Sequence, residues 1–545
     1  MNDSVREIGI LLVTARDNSA ISAADIADHM PMGLGHIASY IKKNSKHKVS
    51  IIDVPHEDVD FEYLKNYIIK NKIELVGISA MVNNYIFCVD FSHYLRKFFP
   101  NIKIAVGGAF PSTLPEVCKE DCSVNIVVKG AGETAFLDIA NNIDSYNGIR
   151  KDAKVVTGLV PPSIDDLPWP DWNAMKHWTY KYPPPWSAWP IISSRGCPFN
   201  CKYCYKILER TYKVRDLDDL MAEIKYLVKN MNLKEFMMMD DLFFLKPQRV
   251  KDFCKKLIDA KLNLTWSAVS RVDLLDEEAI QLLGKAGCIS VAVGVESGSK
   301  TMLKKMGKTL SLEKSATNLS LMNDYGIRIQ PYIIVGYPGE TKETLKETED
   351  FLIKNRIYSA MTYCFPFPGT QLWDIALEKG MIPDIREYLR QPDFGIGRPH
   401  YNFTDMTTDE LVETIEGMKR RVMLAYIENY IKDKKPLIEK AESIYIYGSG
   451  FLGTGVYDKL EDMNFIRKVK SFLDDDPKRQ GVGYKKLPVI PLDKSKLESS
   501  DVCIIANSFF PETMIKKLKN KNPSVPVVSL VSEASLTDGI LAYGS

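Results

Sequence analysis

Ser194-Arg195-Gly196-Cys197-Pro198-Phe199-Asn200-Cys201-Lys202-Tyr203-Cys204 sets three cysteines in the spacing C-x3-C-x2-C, with an aromatic residue directly before the last. Three thiolates on one short loop can hold three irons of a [4Fe–4S] cluster and leave the fourth iron open to an outside ligand. An open iron is a reaction site, whereas a cluster closed by four cysteines serves as an electron wire or a staple. Zinc fits less well. It takes four protein ligands, commonly from paired C-x2-C knuckles, and no second knuckle occurs among the ten cysteines. The other seven (Cys88, Cys118, Cys122, Cys254, Cys288, Cys364 and Cys503) are scattered and read as plain thiols.

Outward from this loop, strand and helix signals alternate between Ile191 and about Ile382. The expected strands are Ile191–Ser193, Glu235–Met239, Leu264–Ala268, Val291–Val295, Ile329–Val335 and Ser359–Phe365. Six such units make a partial (β/α) barrel, with its chemistry at the carboxyl ends of the strands. Those ends carry Asp240-Asp241, Ser267-Ala268-Val269-Ser270-Arg271, Gly294-Val295-Glu296-Ser297-Gly298-Ser299 and Gly336-Tyr337-Pro338-Gly339-Glu340. A strand-end carboxylate such as Glu296 can accept both hydroxyls of a ribose. An arginine such as Arg271 can grip a carboxylate as a fork of donors.

The cysteine spacing, followed in order by these segments and by Phe365-Pro366-Phe367-Pro368-Gly369-Thr370, resembles the radical S-adenosylmethionine (SAM) superfamily. The resemblance implies that Cys197, Cys201 and Cys204 ligate the cluster. SAM would chelate the open iron through its amino and carboxylate groups, with Tyr203 beside it. Asp240 or Asp241 would take the methionine amino group, Ser267 and Arg271 the carboxylate side, Gly294, Glu296 and Ser297 the ribose, and Gly336 the adenine. One electron from the reduced cluster would cleave the sulfonium and give a 5′-deoxyadenosyl radical. The cofactor performs this hard step while the protein orients it and excludes water.

The first ~150 residues alternate strand and helix in the manner of a parallel α/β sheet. Strands are expected at Ile8–Val13, Val49–Val54, Leu75–Ser79, Ile102–Val106 and Val124–Lys129, with glycine turns at Gly107-Gly108 and Gly130-Ala131-Gly132-Glu133. Glycines after strand ends let a backbone approach a ligand at the carboxyl edge. A flavodoxin-like domain placed before such a barrel, with Pro31–Tyr40 and Pro111-Ser112-Thr113, resembles the cobalamin-binding class of the superfamily. The resemblance implies a cobalamin site formed by Ser79, Gly107, Gly108, Thr113, Gly130, Gly132 and Glu133. None of the seven histidines lies in a D-x-H-x-x-G pattern, so cobalamin is expected to bind without that lower ligand. With both cofactors, the family's commonest outcome is methylation of an unactivated carbon of a small-molecule, lipid or glycan substrate. One SAM would methylate cob(I)alamin and a second would start the radical. Ring closure, oxidation or rearrangement is the alternative, and a non-catalytic nucleotide-binding scaffold is a third reading. An external electron donor such as flavodoxin or ferredoxin is implied.

Residues 151–190 are rich in proline and tryptophan and read as an ordered linker between a domain at 1–150 and a barrel at 191–384. A helical connection is expected at 385–440 and a small Rossmann-like domain at 441–545. There Gly448-Ser449-Gly450-Phe451-Leu452-Gly453 follows a strand and Asp474 ends the next, so Gly448, Gly450, Gly453 and Asp474 are candidate nucleotide contacts. With 71 basic and 70 acidic residues, no bulk attraction to nucleic acid is expected. No apolar run approaches the roughly 20 residues of a membrane span. The start shows no signal peptide, and unpaired cysteines suit a reducing compartment, so a cytoplasmic protein is expected.

Overall fold

Near-continuous Val/Ile/Leu runs, the mark of parallel strands buried on both faces, fold into three parallel sheets in chain order. The computed structural model describes residues 5–17, 30–180, 189–208, 210–391, 398–481, 485, 487–507 and 511–530. The first sheet holds β1 (Gly9–Thr14), β2 (Lys48–Asp53), β3 (Ile73–Ser79), β4 (Lys103–Gly107), β5 (Ile126–Gly130) and β6 (Lys154–Gly158) in the order β2-β1-β3-β4-β5-β6. The order reverses between β1 and β3, which opens a crevice at their carboxyl ends. Sequence reading missed β6, whose side chains are largely exposed and show no apolar alternation.

The second sheet starts with β7 (Trp189–Ile191). A short antiparallel pair, β8 (Ser194–Arg195) and β9 (Lys213–Val214), then brackets the cysteine loop. The sheet continues through β10 (Glu235–Met238), β11 (Thr265–Ser270), β12 (Cys288–Glu296), β13 (Arg328–Val335) and β14 (Ala360–Tyr363). The six main strands pair in sequence, all parallel, and leave β7 and β14 as free edges: a partial barrel. Phe236, Met238, Trp266, Ala268, Val291, Val293, Ile333 and Val335 are buried in the core. Several alternate side chains stay open, with Met239 at 40%, Val269 at 38% and Tyr332 at 38% exposure, while Ala292 is buried. The inner face of the barrel is therefore an open hollow, with Met239, Val269 and Tyr332 beside the polar Ser267 and Gln330.

The third sheet comprises β15 (Ile444–Tyr447), β16 (Val469–Leu473), β17 (Val489–Ile490), β18 (Val502–Ile505) and β19 (Val527–Ser529), ordered β17-β16-β15-β18-β19. This is the dinucleotide-fold order without a sixth strand. The helix Thr408–Asp433, closed at its start by a Thr407/Glu410 capping box, joins this unit to the barrel. Its Leu411, Ile415, Met418 and Val422 enter the barrel core, and Met423, Ile427 and Ile431 enter the C-terminal core.

The linker, which begins after β6, is pinned to both domains. The Trp172 indole is buried and donates to Glu223 at 3.2 Å, Trp169 donates to Asp219 at 3.0 Å, and the Tyr180 hydroxyl donates to Asp53 at the end of β2. The segment Tyr182-Pro183-Pro184-Pro185-Trp186 lies outside the described residues. Among the described residues, no helix is long and apolar enough to cross a membrane.

Candidate active site

The cysteine loop hangs from a buried carboxylate. Asp240, 4% exposed at the end of β10, accepts four hydrogen bonds. They come from the backbone N–H groups of Ser193 (2.7 Å) and Ser194 (3.0 Å) and from both serine hydroxyls (2.6 Å each). Asp241 instead accepts the Gly196 N–H at 2.8 Å and faces a cavity. Sequence reading left the two aspartates open as ligands for an amino group. The geometry separates them, because Asp240 has all its acceptor capacity engaged at the root of the loop. Asp240→Asn removes the charge on which four donors converge and is expected to cost about 1–3 kcal/mol. Asp241→Asn should change stability by less than about 1 kcal/mol and weaken SAM binding. Anaerobic urea melts and SAM titrations check both.

A turn from the barrel supports the loop from below. Lys202 N–H donates to Met306 O at 2.9 Å, and a Cβ on Gly307 would stand 3.0 Å from Asn200 O. Cys197 and Cys201 are half-buried and Cys204 is exposed. Among the described residues, no three His, Cys, Asp or Glu side chains converge as ligands of a single metal ion.

The SAM candidates gather beside the loop, with differing freedom. Arg271 stacks on Phe199 of the loop, 4.0 Å from the ring centre, and pairs with Asp273 at 2.8 Å. Its Nη2 also donates to Thr309 O, while its buried Nη1 has no partner. Glu296 has φ +70° and pairs with the buried Lys308 at 2.9 Å. The side chain folds back so far that a Cβ on Gly294 would lie 2.1 Å from Glu296 Oε1, so a larger residue there would displace the carboxylate. Tyr203 touches both Cys201 and Glu296. Burial, reinforced by these neighbours, pushes its hydroxyl far up, so it stays a donor. Ser267 is half-buried on β11, on the side of the hollow. The Ser297 hydroxyl faces Thr348 Oγ1 at 3.0 Å and accepts the Ser299 N–H at 3.1 Å, so it serves the turn rather than an open site. Lys308 and Phe199 escaped sequence reading because nothing in a lone lysine or phenylalanine marks a distant partner.

The Gly336 N–H is engaged by Glu340, which is 2% exposed. Burial pushes the Glu340 carboxyl up to about 7, against the pull of the Gly336 and Tyr337 amides. An unfolded glutamate releases its proton near pH 4.3. The folded state holds it longer, so stability falls as pH climbs from there through about 7. The loss is on the order of 3 kcal/mol. Glu340→Gln should abolish this fall, as read by urea melts at pH 5 and pH 8, the two sides of that window.

The carboxyl ends of the first sheet and of the barrel face one another across a cavity of about 310 Å³. Ser79, Gly107, Gly108, Gly130, Gly132 and Glu133 line it from one side and Ser194, Arg195, Met239 and Asp241 from the other. Thr113 is absent from this lining. Its hydroxyl donates to Ala109 O at 3.0 Å, and its methyl would meet a Cβ on Gly369 at 2.8 Å, so it packs against the barrel. Two contacts tie the domains at this seam. Arg195, one residue from the cysteine loop's Gly196, pairs with Glu133 at 2.6 Å, and the Tyr205 hydroxyl donates to Ala109 O at 2.7 Å. Burial opposes ionisation of Glu133, but the Arg195 guanidinium holds its carboxyl below the usual value. His36 also lines the cavity. Burial, helped by the Arg195 charge, lowers its pKa to about 3, so the ring is neutral.

In the C-terminal unit, Gly448 has φ +107°, and a Cβ on Gly453 would lie 2.0 Å from Gly448 O. These two glycines close the turn onto its helix. A Cβ on Gly450 would meet the Arg479 guanidinium at 3.1 Å. Asp474 accepts the Ser449 N–H at 2.9 Å and its hydroxyl at 2.6 Å, with the Asp476 N–H at 3.0 Å on the other oxygen. The acid at the ribose position of the fingerprint is thus folded onto its own glycine loop.

The residues present fit the three groups the sequence implies. The loop offers three thiolates, Arg271 has an unpartnered Nη1, and the cavity has an unpartnered His36 Nε2. The cavity floor is bare backbone: a Cβ on Gly33 would meet nothing within 4 Å and one on Gly107 only Val128, at 3.5 Å. A family model of the radical SAM superfamily matches residues 191–352, and one of the B12 binding domain matches residues 20–140. The chain is 30% identical over 474 residues to the anaerobic magnesium-protoporphyrin IX monomethyl ester cyclase of Rubrivivax gelatinosus, covering 81% of this chain and 82% of the relative. It is 28% identical over 389 residues to an uncharacterized methyltransferase of Pyrococcus horikoshii, covering 68% and 84%. In fold it is similar to the radical S-adenosylmethionine methyltransferase TsrM from Kitasatospora setae, with TM-score 0.54 and 18% identity over 69% of this chain and 76% of that one. The cobalamin-dependent S-adenosylmethionine radical enzyme OxsB gives TM-score 0.55 and 18% identity over 80% and 68%. The chain belongs to the radical SAM enzymes that carry an N-terminal B12-binding domain, a family whose cofactors are a [4Fe–4S] cluster, SAM and cobalamin.

Proposed function

We propose that this enzyme transfers a methyl group to an unactivated carbon of a substrate with an apolar body. The observation that carries the reading is the seam, where the cysteine loop and the glycine-floored cavity open toward each other and share Arg195 and Asp241 as walls. When bound, the cluster and SAM supply a radical that abstracts hydrogen, and cobalamin supplies the methyl group. The chain's part is placement. Asp241 and the free Nη1 of Arg271 bracket the amino-acid end of SAM, and Glu296, its charge balanced by Lys308, takes the ribose. Tyr203 keeps a protonated hydroxyl between Cys201 and Glu296. The hollow that Met239, Val269 and Tyr332 face offers apolar surface to the body of the substrate. An external one-electron donor such as flavodoxin or ferredoxin completes the scheme.

Gly107→Leu fills the bare floor of the cavity and is expected to abolish cobalamin retention while leaving cluster content unchanged, as metal analysis of the purified protein will read. Incubation of the loaded enzyme with SAM labelled in its methyl group, against extracts of source cells, tests the transfer. A product that gains the labelled methyl supports it, and a product lighter by hydrogens with no label contradicts it. The second outcome would favour ring closure, the reading that the similarity to the Rubrivivax gelatinosus cyclase supports.

A further inference from the structure

Inside the barrel, β13 turns two polar side chains toward the hollow. Ile333 and Val335 are buried in the core, whereas Gln330 is half-buried and Tyr332 is exposed. Alternation along the strand puts Gln330 and Tyr332 together on the inner face. Their neighbours across the sheet are small. Gln330 pairs in register with Ala292, and Tyr332 lies between Gly294 and Ala360. Adjacent strands stand about 4.8 Å apart. A glycine on one side and an alanine on the other therefore leave both flanks of the Tyr332 ring open. Neither polar side chain hydrogen-bonds another described residue. Sequence reading passed over both, because polar residues alternating with apolar ones also mark any strand that faces solvent.

Gly294 fixes where this open space lies. The Glu296 carboxylate is folded back over that glycine, and a Cβ there would also stand 3.0 Å from Lys308 Nζ. Tyr332 is thus one strand away from the carboxylate that takes the SAM ribose. Lys308, the cation beside Gly294, is already paired with Glu296. An anionic group entering here would be desolvated without a counter-charge, which is costly, whereas a neutral polar group needs only a hydrogen bond. Burial alone raises the Tyr332 hydroxyl above its usual value, so it stays protonated and can donate. The Gln330 amide supplies further donors.

We propose that Tyr332 and Gln330 anchor the substrate by donating to a neutral carbonyl group, of an amide, ester or ketone, and so hold a nearby carbon beside the SAM ribose. The apolar body then lies toward Val269 and Met239. The inference rests on the reading that this hollow receives the substrate of the radical reaction, and it names that substrate's class as an uncharged carbonyl compound.

The test uses the full-length enzyme loaded with cluster and cobalamin, methyl-labelled SAM, and serial dilutions of source-cell extract as the probe. Tyr332→Phe and Gln330→Leu each remove a donor that has no internal partner, so iron content, cobalt content and SAM affinity should match the wild type. Half-saturation should move to about tenfold more extract in each variant. The product purified from the wild-type reaction should carry an amide, ester or ketone close to the altered carbon. Unchanged half-saturation in both variants overturns the proposal. A loss of SAM affinity on the order of tenfold also overturns it, because the pair would then serve the cofactor. So does a product with no neutral carbonyl near the altered carbon. An unlabelled product lighter by hydrogens removes the methyl-transfer reading alone, and the shift in half-saturation for that product still decides the anchor.

Discussion

Cys201→Ala is expected to lower 5′-deoxyadenosine formation by at least about a hundredfold, because two thiolates cannot hold a cluster that is already one ligand short of closure. Iron content should fall with it. The fold should not. The loop is rooted by Asp240 and Asp241 and carried on the Met306–Gly307 turn, none of which involves the thiol. Thermal melts of the cluster-free wild type and variant should therefore agree within about 1 kcal/mol. Cys254→Ala is the contrasting control. That thiol is fully buried in the barrel core, so its removal should cost stability and leave iron content unchanged.

The second large effect is expected at Glu133. Its side chain is 5% exposed and that of Arg195 11%, so Glu133→Gln strands a buried guanidinium. Breaking a buried pair by removing one partner costs about 3–5 kcal/mol, whereas replacing both with apolar residues is often neutral. The single variant should unfold at lower urea, and Glu133→Leu with Arg195→Met should recover much of the loss. Cobalamin retention should fail in both, since both residues line the cavity. A double variant that binds cobalamin normally would show the pair to be structural only. The Glu133 carboxyl is held below its usual value, so its contribution is present above about pH 4.3 and is lost as pH falls through the folded value.

The barrel and both flanking sheets were legible because parallel strands buried on two faces read as apolar runs, and the strand-end motifs sit on them. The edges were less so. β6 is largely exposed, and β17, Val489–Ile490, is too short for a period to show. Within the site, residue type and spacing pointed to the loop, to Arg271, to Glu296 and to the glycine turns. They could not say which side chains were already committed. Asp240 and Asp241 are adjacent and chemically identical, yet the chain leaving β10 sends one to four donors and the other to the cavity. Ser297 and Thr113 fit the motifs and are engaged internally. His36 carries the opposite lesson: a buried lone pair is a property of packing between helix and linker, and no local pattern encodes it.

One measurement bears most directly on the central claim that a radical cluster and cobalamin work across one seam. The full-length chain, reconstituted anaerobically with iron, sulfide and cobalamin and desalted, is reduced in the presence of SAM, and iron, cobalt and 5′-deoxyadenosine are quantified on the same sample. The account predicts a four-iron cluster and one cobalt per chain together with 5′-deoxyadenosine. Full cluster occupancy without 5′-deoxyadenosine, or 5′-deoxyadenosine from a protein that retains no cobalt, would contradict it.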